Sequence, residues 1–465
     1  MRLVLDMVFY AGFIIAWPWW RGKKRGDWPA RWGRGPILPK PAGVKRLLIH
    51  GVSVGEVNAA APLARRLRRD PRFIGVHIVI SATTDTGAAR AAKLFATPAE
   101  PLIASPGEPV RSESEAVMST AVVRYPLDAS RAVRRFFDRI QPDAVALMEL
   151  ELWPNFLAEA TRRGVPTAVV NGRLSERSFR NYRRFRPLLG RFFRPLTFVA
   201  AQDESYAQRF RAMGVKRVSV VGSMKWDGAA DGVADRTALD AQADLLAKEM
   251  GIDRSRPLVV AGSTGPEEPA MLVRSIDESA ARSSGSGRGV QLLVAPRKPE
   301  WFDAAATELE RGGHRVVCRS RPESSSPPNA EAPRRFVLDT IGELRAAYAL
   351  ADVVIVGRSF GSLFGSDVMQ PAALGKPVLI GPQFGDFASA VEALERSGGL
   401  RIVERNELGA ALAELLNEPD TRRRMGEAAV RCVAEQAGAA QRHADLLAEM
   451  MGLGASPVAV AKEVS

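Results

Sequence analysis

The chain has 465 residues, which is too long for one typical hydrophobic core and predicts two domains. Its hydrophobic fraction of 46% and charged fraction of 25% are ordinary for a folded protein and exclude a largely disordered chain. With 65 Lys and Arg against 52 Asp and Glu, the net charge of +13 favours an anionic partner: nucleic acid, a membrane surface or a phosphorylated substrate.

Motif content narrows the choice of partner. No zinc-finger spacing or RNA-binding aromatic motif accompanies the positive charge, and this disfavours nucleic acid. The two cysteines, Cys318 and Cys432, lie far apart without a CxxC motif. They therefore predict neither a metal cluster nor a disulfide, and they fit a reducing compartment.

The N-terminus carries an apolar run over residues 3–20, broken only by Asp6, ending in three tryptophans and followed by a basic stretch at 21–25. About eighteen apolar residues are the lower limit for a membrane span. Tryptophans suit the membrane interface, and the basic flank places the rest of the chain in the cytoplasm. Because no small-residue cleavage site follows, a signal peptide is disfavoured. We expect a membrane anchor or in-plane membrane helix over residues 1–27, with its basic flank on anionic lipid.

After a Pro- and Gly-rich connector at 28–43, short apolar runs alternate with amphipathic stretches. The predicted strands cover residues 46–50, 76–81, 121–125, 144–148, 167–171, 198–201 and 218–221. The predicted helices cover residues 59–69, 87–95, 131–140, 156–163 and 205–213. Alternation of this kind predicts a parallel sheet covered by helices on both faces, in a first domain at 28–226.

A second series of the same kind follows a predicted interdomain connection at 227–256. Its strands are predicted at 258–262, 291–295, 315–318, 353–356 and 377–380. Its helices are predicted at 266–282, 301–311, 341–349, 369–374 and 388–397. We expect a second domain at 257–452 and a tail at 453–465, with polar low-complexity surface loops at 98–120, 283–289 and 321–333.

The segment His-Gly-Val-Ser-Val-Gly-Glu at 50–56 follows the first strand and opens a helix, which exposes backbone N–H groups and the Glu56 carboxylate at one end of the sheet. Any α/β unit is built this way, and a Glu in a first helical turn also favours the helix dipole. The segment alone therefore leaves a catalytic role for Glu56 open. Comparable polar clusters follow other strands, at 81–87, 149–155, 171–177, 261–264, 295–300, 339–343 and 357–367. Together they predict a binding cleft.

Six of the motifs occur in a specific combination: SVGE at 53–56, ELWPN at 151–155, NGRLSERS at 171–178, GSMKWD at 222–227, AGST at 261–264 and PAALGKPV at 371–378. From the N-terminal anchor to about residue 397, the chain resembles the 3-deoxy-D-manno-octulosonic acid (Kdo) transferases of lipid A glycosylation, glycosyltransferase family 30. The resemblance implies a GT-B fold, with two Rossmann-like doubly wound domains facing across a cleft, the donor mainly on the second and the acceptor on the first. It implies inverting transfer of Kdo from CMP-Kdo to a hydroxyl of a lipid A precursor (lipid IVA). That reaction belongs to lipopolysaccharide biosynthesis at the cytoplasmic face of the inner membrane, and the family uses no metal and no cofactor.

The resemblance also implies roles for particular residues. Glu56 matches the catalytic Glu of the family, which makes it the expected general base. The expected donor-binding residues are Gly262, Ser263, Thr264, Arg297, Gly342, Glu343, Ser366, Asp367 and Gln370. The expected acceptor-binding residues are Ser53, Gly55, Arg173, Ser175 and Arg177.

Some of these assignments compete with simpler ones. Ser263 and Thr264 are expected to open a helix after a strand and to seat a phosphate. Arg297 would meet the nucleotide, or it and Lys298 are simply a solvated strand end. Glu151 and Asn155 border the acceptor site, or they cap their helix.

One segment departs from the family pattern. Where the family usually shows Gly-Gly-His-Asn and then Glu three residues later, this chain has Ser366, Asp367 and Gln370 in place of the His, Asn and Glu. Three readings remain open: an altered donor, a compensated site in a divergent branch, and a chain that binds without catalysing. We favour the compensated site, because the Glu56 segment is intact. The alternatives to a Kdo transferase are another GT-B enzyme with a different nucleotide sugar and a non-catalytic envelope lipid-binding or scaffold protein.

Overall fold

The computed structural model describes residues 6–7, 9–12, 26–95, 120–282, 289–311, 314–321 and 334–454. The contacts divide the chain into two compact units, one formed by Met1–Gly228 with Ala437–Ser465 and the other by Ala229–Gln436. Each unit is built around its own parallel sheet. The prediction of two doubly wound α/β domains is confirmed.

The first unit contains a seven-stranded sheet among the described residues, in the order β3-β2-β1-β4-β5-β6-β7. Its strands are β1 (Arg46–Gly51), β2 (His77–Ala82), β3 (Thr120–Arg124), β4 (Ala144–Met148), β5 (Thr167–Gly172), β6 (Phe198–Ala201) and β7 (Val218–Val220). Every residue of β1 is buried, and its side chains alternate between two hydrophobic clusters: Leu47 and Ile49 enter one, Leu48 the other. Clusters on both faces explain why the strands read as continuous apolar runs.

The helices of the first unit cover these two faces. They are α1 (Val54–Arg69), α2 (Asp85–Phe95), α3 (Ser130–Ile140), α4 (Pro154–Arg162), α5 (Glu176–Arg184), α6 (Arg186–Phe193), α7 (Glu204–Met213) and α8 (Met224–Asp231). Helix α1 buries Val57, Leu63 and Leu67 in one cluster, and α3 buries Phe136 and Phe137 in the other. The sequence did not predict α5 and α6, because their dense arginines hide the apolar stripe.

The second unit contains a seven-stranded sheet among its described residues, in the order β10-β11-β9-β8-β12-β13-β14. Its strands are β8 (Leu258–Thr264), β9 (Gln291–Pro296), β10 (Val316–Cys318), β11 (Arg335–Val337), β12 (Val353–Val356), β13 (Val378–Ile380) and β14 (Leu400–Ile402). The sequence missed β11 and β14, which have only three residues each. In β11 the apolar pattern is also interrupted by Arg335, which is buried and pairs with Asp277 at 3.1 Å.

The second unit also contains the segment predicted to connect the domains. The helices of the second unit are α9 (Arg236–Met250), α10 (Glu268–Arg282), α11 (Phe302–Glu310), α12 (Leu344–Leu350), α13 (Met369–Ala373), α14 (Ala388–Arg396), α15 (Leu408–Asn417) and α16 (Pro419–Gln436). Helix α9 packs against α12 and buries Leu239, Leu246 and Met250. The structure therefore places most of 227–256 inside this unit and not in a linker.

The last described helix, α17 (Ala439–Met450), belongs to the first unit, although the sequence predicted residues 437–452 as part of the second domain. Ala444 and Leu447 are fully buried in the cluster formed by β1 and α1. Asp227 accepts hydrogen bonds from the N–H groups of Gly438 and Ala440, at 3.0 and 3.2 Å, and so fixes the start of α17. An amphipathic stripe does not reveal which sheet it covers, and the sequence therefore could not give this assignment.

Several predictions fall largely outside the described residues. They include the apolar run and basic flank at 3–25, of which only 6–7 and 9–12 are described, and nearly all of the predicted surface loops at 98–120, 283–289 and 321–333. Within the described part of the chain, no helix combines the length and apolar character needed to cross a bilayer. The membrane anchor stays a prediction.

Candidate active site

The first sheet reverses its strand order between β1 and β4. These two strands are hydrogen-bonded neighbours, and His50 lies opposite Leu147, which follows it by 97 residues in the chain. In open α/β sheets, ligands bind beside the carboxyl ends of the strands at such a switch point. The segments that follow β1 and β4 are those that carry Glu56 and the Glu-Leu-Glu sequence at 149–151.

Glu56 lies in the first turn of α1, and both of its carboxylate oxygens are held. Oε2 accepts a hydrogen bond from the N–H of Val52 at 2.7 Å, and Oε1 accepts one from the hydroxyl of Ser53 at 3.0 Å. Burial raises the pKa of Glu56 above its ordinary value; the N–H of Val52 opposes this rise, and the charge of Glu149 adds to it. A carboxylate held in one orientation with a raised pKa is suited to accept a proton.

Two further carboxylates, Glu149 and Glu151, lie near Glu56. Burial raises the pKa of Glu151 to about 7, and the negative charge of Glu56 contributes to the rise. The indole N–H of Trp153 donates to Glu151 at 3.1 Å. The sequence placed these residues at a strand end, but their closeness to Glu56 follows from the pairing of β1 with β4, which is not visible in local sequence.

His50 lies near the end of β1 and has a structural role. It is fully buried, stacks on Tyr125 with ring centroids 3.6 Å apart, and has Nδ1 3.0 Å from the hydroxyl of Ser81. Burial lowers the pKa of His50 to about 3, and the imidazole is therefore neutral at physiological pH.

The expected acceptor residues fall into two groups. Ser53 and Gly55 adjoin Glu56 at the start of α1. Arg173 follows β5, where its N–H donates to the carbonyl of Glu149 at 3.3 Å, so that the structure brings it to the same sheet end. Ser175 caps α5 by accepting a hydrogen bond from the N–H of Ser178. Its hydroxyl therefore has a structural partner.

The cap of α4 differs from the alternative suggested by the sequence. Neither Glu151 nor Asn155 caps this helix. The buried carboxylate of Asp128 accepts from the N–H groups of Asn155 and Phe156, at 3.0 and 2.9 Å. Burial raises the pKa of Asp128 to about 7. Asp128 could not be recognised as a cap from local sequence, because it precedes the helix it caps by more than twenty residues.

In the second unit the strand order reverses between β8 and β12, and the expected donor residues Gly262, Ser263 and Thr264 end β8. The prediction that Ser263 and Thr264 open a helix is wrong, because α10 begins only at Glu268. Thr264 is fully buried, whereas Ser263 is partly exposed with a φ of +57°. A Cβ on Gly262 would lie 2.0 Å from the hydroxyl of Tyr348, so that only glycine fits there.

The divergent segment after β12 meets the end of β8. The Ser366 hydroxyl lies 3.4 Å from the carbonyl oxygen of Ser263. Asp367 accepts from the N–H of Met369 at 2.8 Å and from the side-chain amide of Gln370 at 3.1 Å. The structure therefore assembles Ser263, Ser366, Asp367 and Gln370 into one cluster at the switch point.

The other expected donor residues follow β9 and β11. Arg297 has an exposed side chain, and its N–H donates to the carbonyl of Thr264 at 3.0 Å. Gly342 has a φ of +108° and is exposed. Glu343 forms an ion pair with Arg319 at 3.0 Å and accepts from the Thr340 hydroxyl at 2.5 Å. Its carboxylate is thus held by protein groups.

A buried carboxylate that the sequence analysis did not single out organises this end of the second sheet. Glu268 accepts hydrogen bonds from the backbone N–H groups of Gly265, Arg358, Ser359 and Phe360, at 2.7 to 3.2 Å. It ties the segment after β8 to the segment after β12. A cavity of about 100 Å³ opens beside it, and Arg358 and Arg405 are among its lining residues.

Two parallel-sheet α/β units, each with a polar cluster at its switch point, define a GT-B-like fold. A family model described as 3-Deoxy-D-manno-octulosonic-acid transferase (kdotransferase) matches residues 26–228. The 3-deoxy-D-manno-octulosonic acid transferase of Bordetella pertussis is 33% identical over 457 residues, covering 95% of this chain and 97% of that protein. The Haemophilus influenzae transferase of the same name is 29% identical, covering 88% of this chain and 87% of that protein. The chain belongs to the Kdo transferase family of glycosyltransferases.

A solved structure agrees with the fold. The UDP-GlcNAc 2-epimerase from Neisseria meningitidis bound to UDP-GlcNAc has a TM-score of 0.54 and 14% identity, and it covers 84% of this chain and 99% of that one. At this identity the likeness concerns the fold alone.

Proposed function

We propose that this protein transfers Kdo from CMP-Kdo to a hydroxyl of a lipid A precursor such as lipid IVA, with inversion and without a metal ion, at the cytoplasmic face of the inner membrane. Membership of the Kdo transferase family supports the sugar that is transferred. The observation that carries the chemistry is the partly buried carboxylate of Glu56, held by two hydrogen bonds at the switch point of the first sheet.

In the proposed reaction, the acceptor hydroxyl attacks the anomeric carbon of Kdo. Glu56 accepts the proton of that hydroxyl as the new C–O bond forms. At the same time, the bond between the anomeric carbon and the phosphate oxygen breaks, and CMP leaves with the electron pair. Because a nucleoside monophosphate is a good leaving group, positive charge and N–H dipoles suffice to stabilise it, and no general acid is required.

For the donor, the second unit offers positive charge at the ligand end of its sheet. Arg358 and Arg405 line the cavity beside Glu268, and Arg297 follows the neighbouring strand. The carboxylate of Asp367, which would otherwise oppose an anionic donor, is bonded to the N–H of Met369 and the amide of Gln370. These bonds support the compensated site over an altered donor.

For the acceptor, the first unit offers arginines next to the candidate base. Arg173 follows β5, and the exposed arginines Arg177, Arg180, Arg183 and Arg184 continue along α5. Guanidinium groups bind phosphate groups in bidentate geometry, and basic surfaces attract anionic lipid headgroups. This arrangement suits a phosphorylated lipid in a membrane.

The proposal is tested by incubating the purified protein with tetraacylated lipid A precursor and either CMP-Kdo or UDP-sugars, and by measuring the mass of the lipid. The Bordetella pertussis relative serves as the positive control. We expect a gain of Kdo with CMP-Kdo only. A gain with a UDP-sugar alone would indicate another GT-B enzyme. No gain with any donor, under conditions where the control is active, would indicate a non-catalytic lipid-binding protein.

The transfer rate is expected to depend on pH through the ionisation of Glu56, whose pKa is shifted by its carboxylate neighbour. Since Glu56 must be ionised to accept a proton, the rate should rise with pH through the raised pKa of Glu56. In Glu149→Gln a neighbouring negative charge is lost, which lowers the pKa of Glu56 and moves the acidic limb of the profile to lower pH. Profiles of kcat/KM for wild type, Glu149→Gln and the exposed control Glu204→Gln measure this. An acidic limb unchanged in Glu149→Gln would show that Glu149 and Glu56 are not coupled.

A further inference from the structure

A single histidine on the C-terminal helix contacts the ligand end of the first sheet. His443 lies on α17 and is fully buried. Its Nε2 lies 2.8 Å from the backbone nitrogen of Asn171, and its Nδ1 lies 2.7 Å from the carbonyl oxygen of Ala439. A backbone N–H only donates and a carbonyl only accepts, so these partners fix the neutral imidazole with its proton on Nδ1. Burial lowers the pKa of His443 to about 4, which keeps it in this form at physiological pH.

The partner of His443, Asn171, makes several hydrogen bonds at the same end of the sheet. Asn171 is fully buried near the end of β5 and has a φ of +52°, a left-handed conformation that Asn tolerates better than most residues. Its side-chain oxygen accepts from the N–H of Met224 at 3.1 Å, and its carbonyl accepts from the side chain of Gln202 at 2.9 Å. One residue thus joins the end of β5, the residue after β6 and the start of α8.

The segments held by Asn171 lead to the candidate site. Arg173 lies two residues beyond Asn171, and its N–H donates to the backbone carbonyl of Glu149. The negative charge of the Glu149 side chain in turn raises the pKa of Glu56. Lys225 follows Met224 directly, in the first turn of α8. A shift at Asn171 would therefore move Arg173 and Lys225 together.

We propose that His443 is a positioning residue for glycosyl transfer: through Asn171 it holds the segment that carries Arg173, an expected acceptor-binding residue, in its productive place. The proposal rests on the proposed function, and it gives the return of α17 to the first unit a role in the reaction. The N–H of Asn171 is buried and needs an acceptor, and the acceptor comes from a helix that follows it by more than 260 residues.

Three variants test the proposal. His443→Leu has similar bulk but no acceptor, which leaves the N–H of Asn171 unpaired. His443→Gln keeps an acceptor oxygen near the position of Nε2. Leu447→Ala is the control, since it removes a fully buried side chain of the same helix that packs in the core and has no role at Asn171. For each, thermal unfolding gives Tm, amide hydrogen exchange is followed at residues 169–175 and 222–226, and kcat and both KM values are measured well below the lowest Tm.

We expect His443→Leu to lower kcat by roughly 10- to 100-fold, the scale of a small misplacement of reacting groups, with the KM for CMP-Kdo unchanged. Amide hydrogen exchange of His443→Leu should rise at residues 169–175 and 222–226. His443→Gln should recover much of the kcat and much of the protection from exchange. Leu447→Ala should lose Tm but retain kcat. Equal kcat losses in His443→Leu and Leu447→Ala at comparable Tm loss would overturn the proposal, as would unchanged exchange in His443→Leu.

The exchange measurement separates this proposal from the proposed function. If the wild-type protein shows no transfer, the proposed function fails. An increase of hydrogen exchange confined to residues 169–175 and 222–226 in His443→Leu would still show that His443 positions these segments. Should His443→Leu fail to fold, the comparison of His443→Gln with Leu447→Ala decides. A kcat loss in His443→Gln with unchanged exchange would then contradict positioning through Asn171.

Discussion

A Glu56→Gln variant is expected to transfer Kdo roughly a hundredfold or more slowly than the wild-type protein, the usual scale for loss of a positioned base. The substitution removes the proton acceptor while preserving the local structure. The amide oxygen of Gln can accept from the N–H of Val52, and its NH₂ group can donate to the Ser53 hydroxyl, which rotates to accept. The loss should therefore appear in kcat, with both KM values close to wild type.

Steady-state kinetics and thermal unfolding of Glu56→Gln provide the measurement. The matched control is Glu204→Gln, the same chemical change at an exposed residue of the first turn of α7. We expect unchanged Tm in both variants and a rate loss only in Glu56→Gln. A Glu56→Gln protein with unimpaired kcat would remove Glu56 from the mechanism, and a rate loss accompanied by a large Tm loss would assign it a structural role.

The strands were the most predictable part of the fold. In a parallel sheet covered on both faces, a strand is a continuous apolar run, and β4, β6 and β12 have the predicted bounds. The short strand β11 was missed because its first residue, Arg335, is charged and leaves only two apolar residues to mark the strand. No helix was predicted at the positions of α9 and α17. Even a recognised amphipathic helix shows that it has an apolar face and not which sheet that face covers.

The candidate site was predictable where it depends on one strand end and not where it depends on contacts between strands. Glu56 could be singled out because strand, turn and helix follow one another in sequence. The closeness of Glu151 to Glu56 requires β1 and β4 to be neighbours. The Asp128 cap and the His443 contact join residues far apart in the chain, and no local pattern encodes them.

A Glu268→Leu variant is expected to destabilise the second unit by about 3 kcal/mol or more, because a buried N–H group without a partner costs about 1–3 kcal/mol and Glu268 serves several. The two oxygens of Glu268 accept from Gly265, Arg358, Ser359 and Phe360. Without these two oxygens, the hydrogen bonds that link the segment after β8 to the segment after β12 are lost. The cavity lined by Arg358 and Arg405 should therefore lose its shape, and binding of CMP should weaken.

Glu268→Gln is expected to have an intermediate effect, because an amide has one acceptor oxygen and its NH₂ group would face N–H donors in either orientation. Glu267 is exposed and lines the same cavity, and it supplies the control for charge, since Glu267→Gln changes the same charge without touching these backbone groups. Because two units need not unfold together, hydrogen exchange under mild denaturant at residues 258–268 and 353–363 measures the stability of this region, and titration calorimetry measures CMP affinity. If Glu268→Leu kept wild-type exchange and CMP affinity, Glu268 would not be the tie between the two segments. Equal losses of CMP affinity in Glu267→Gln and Glu268→Leu would instead attribute the effect to charge alone.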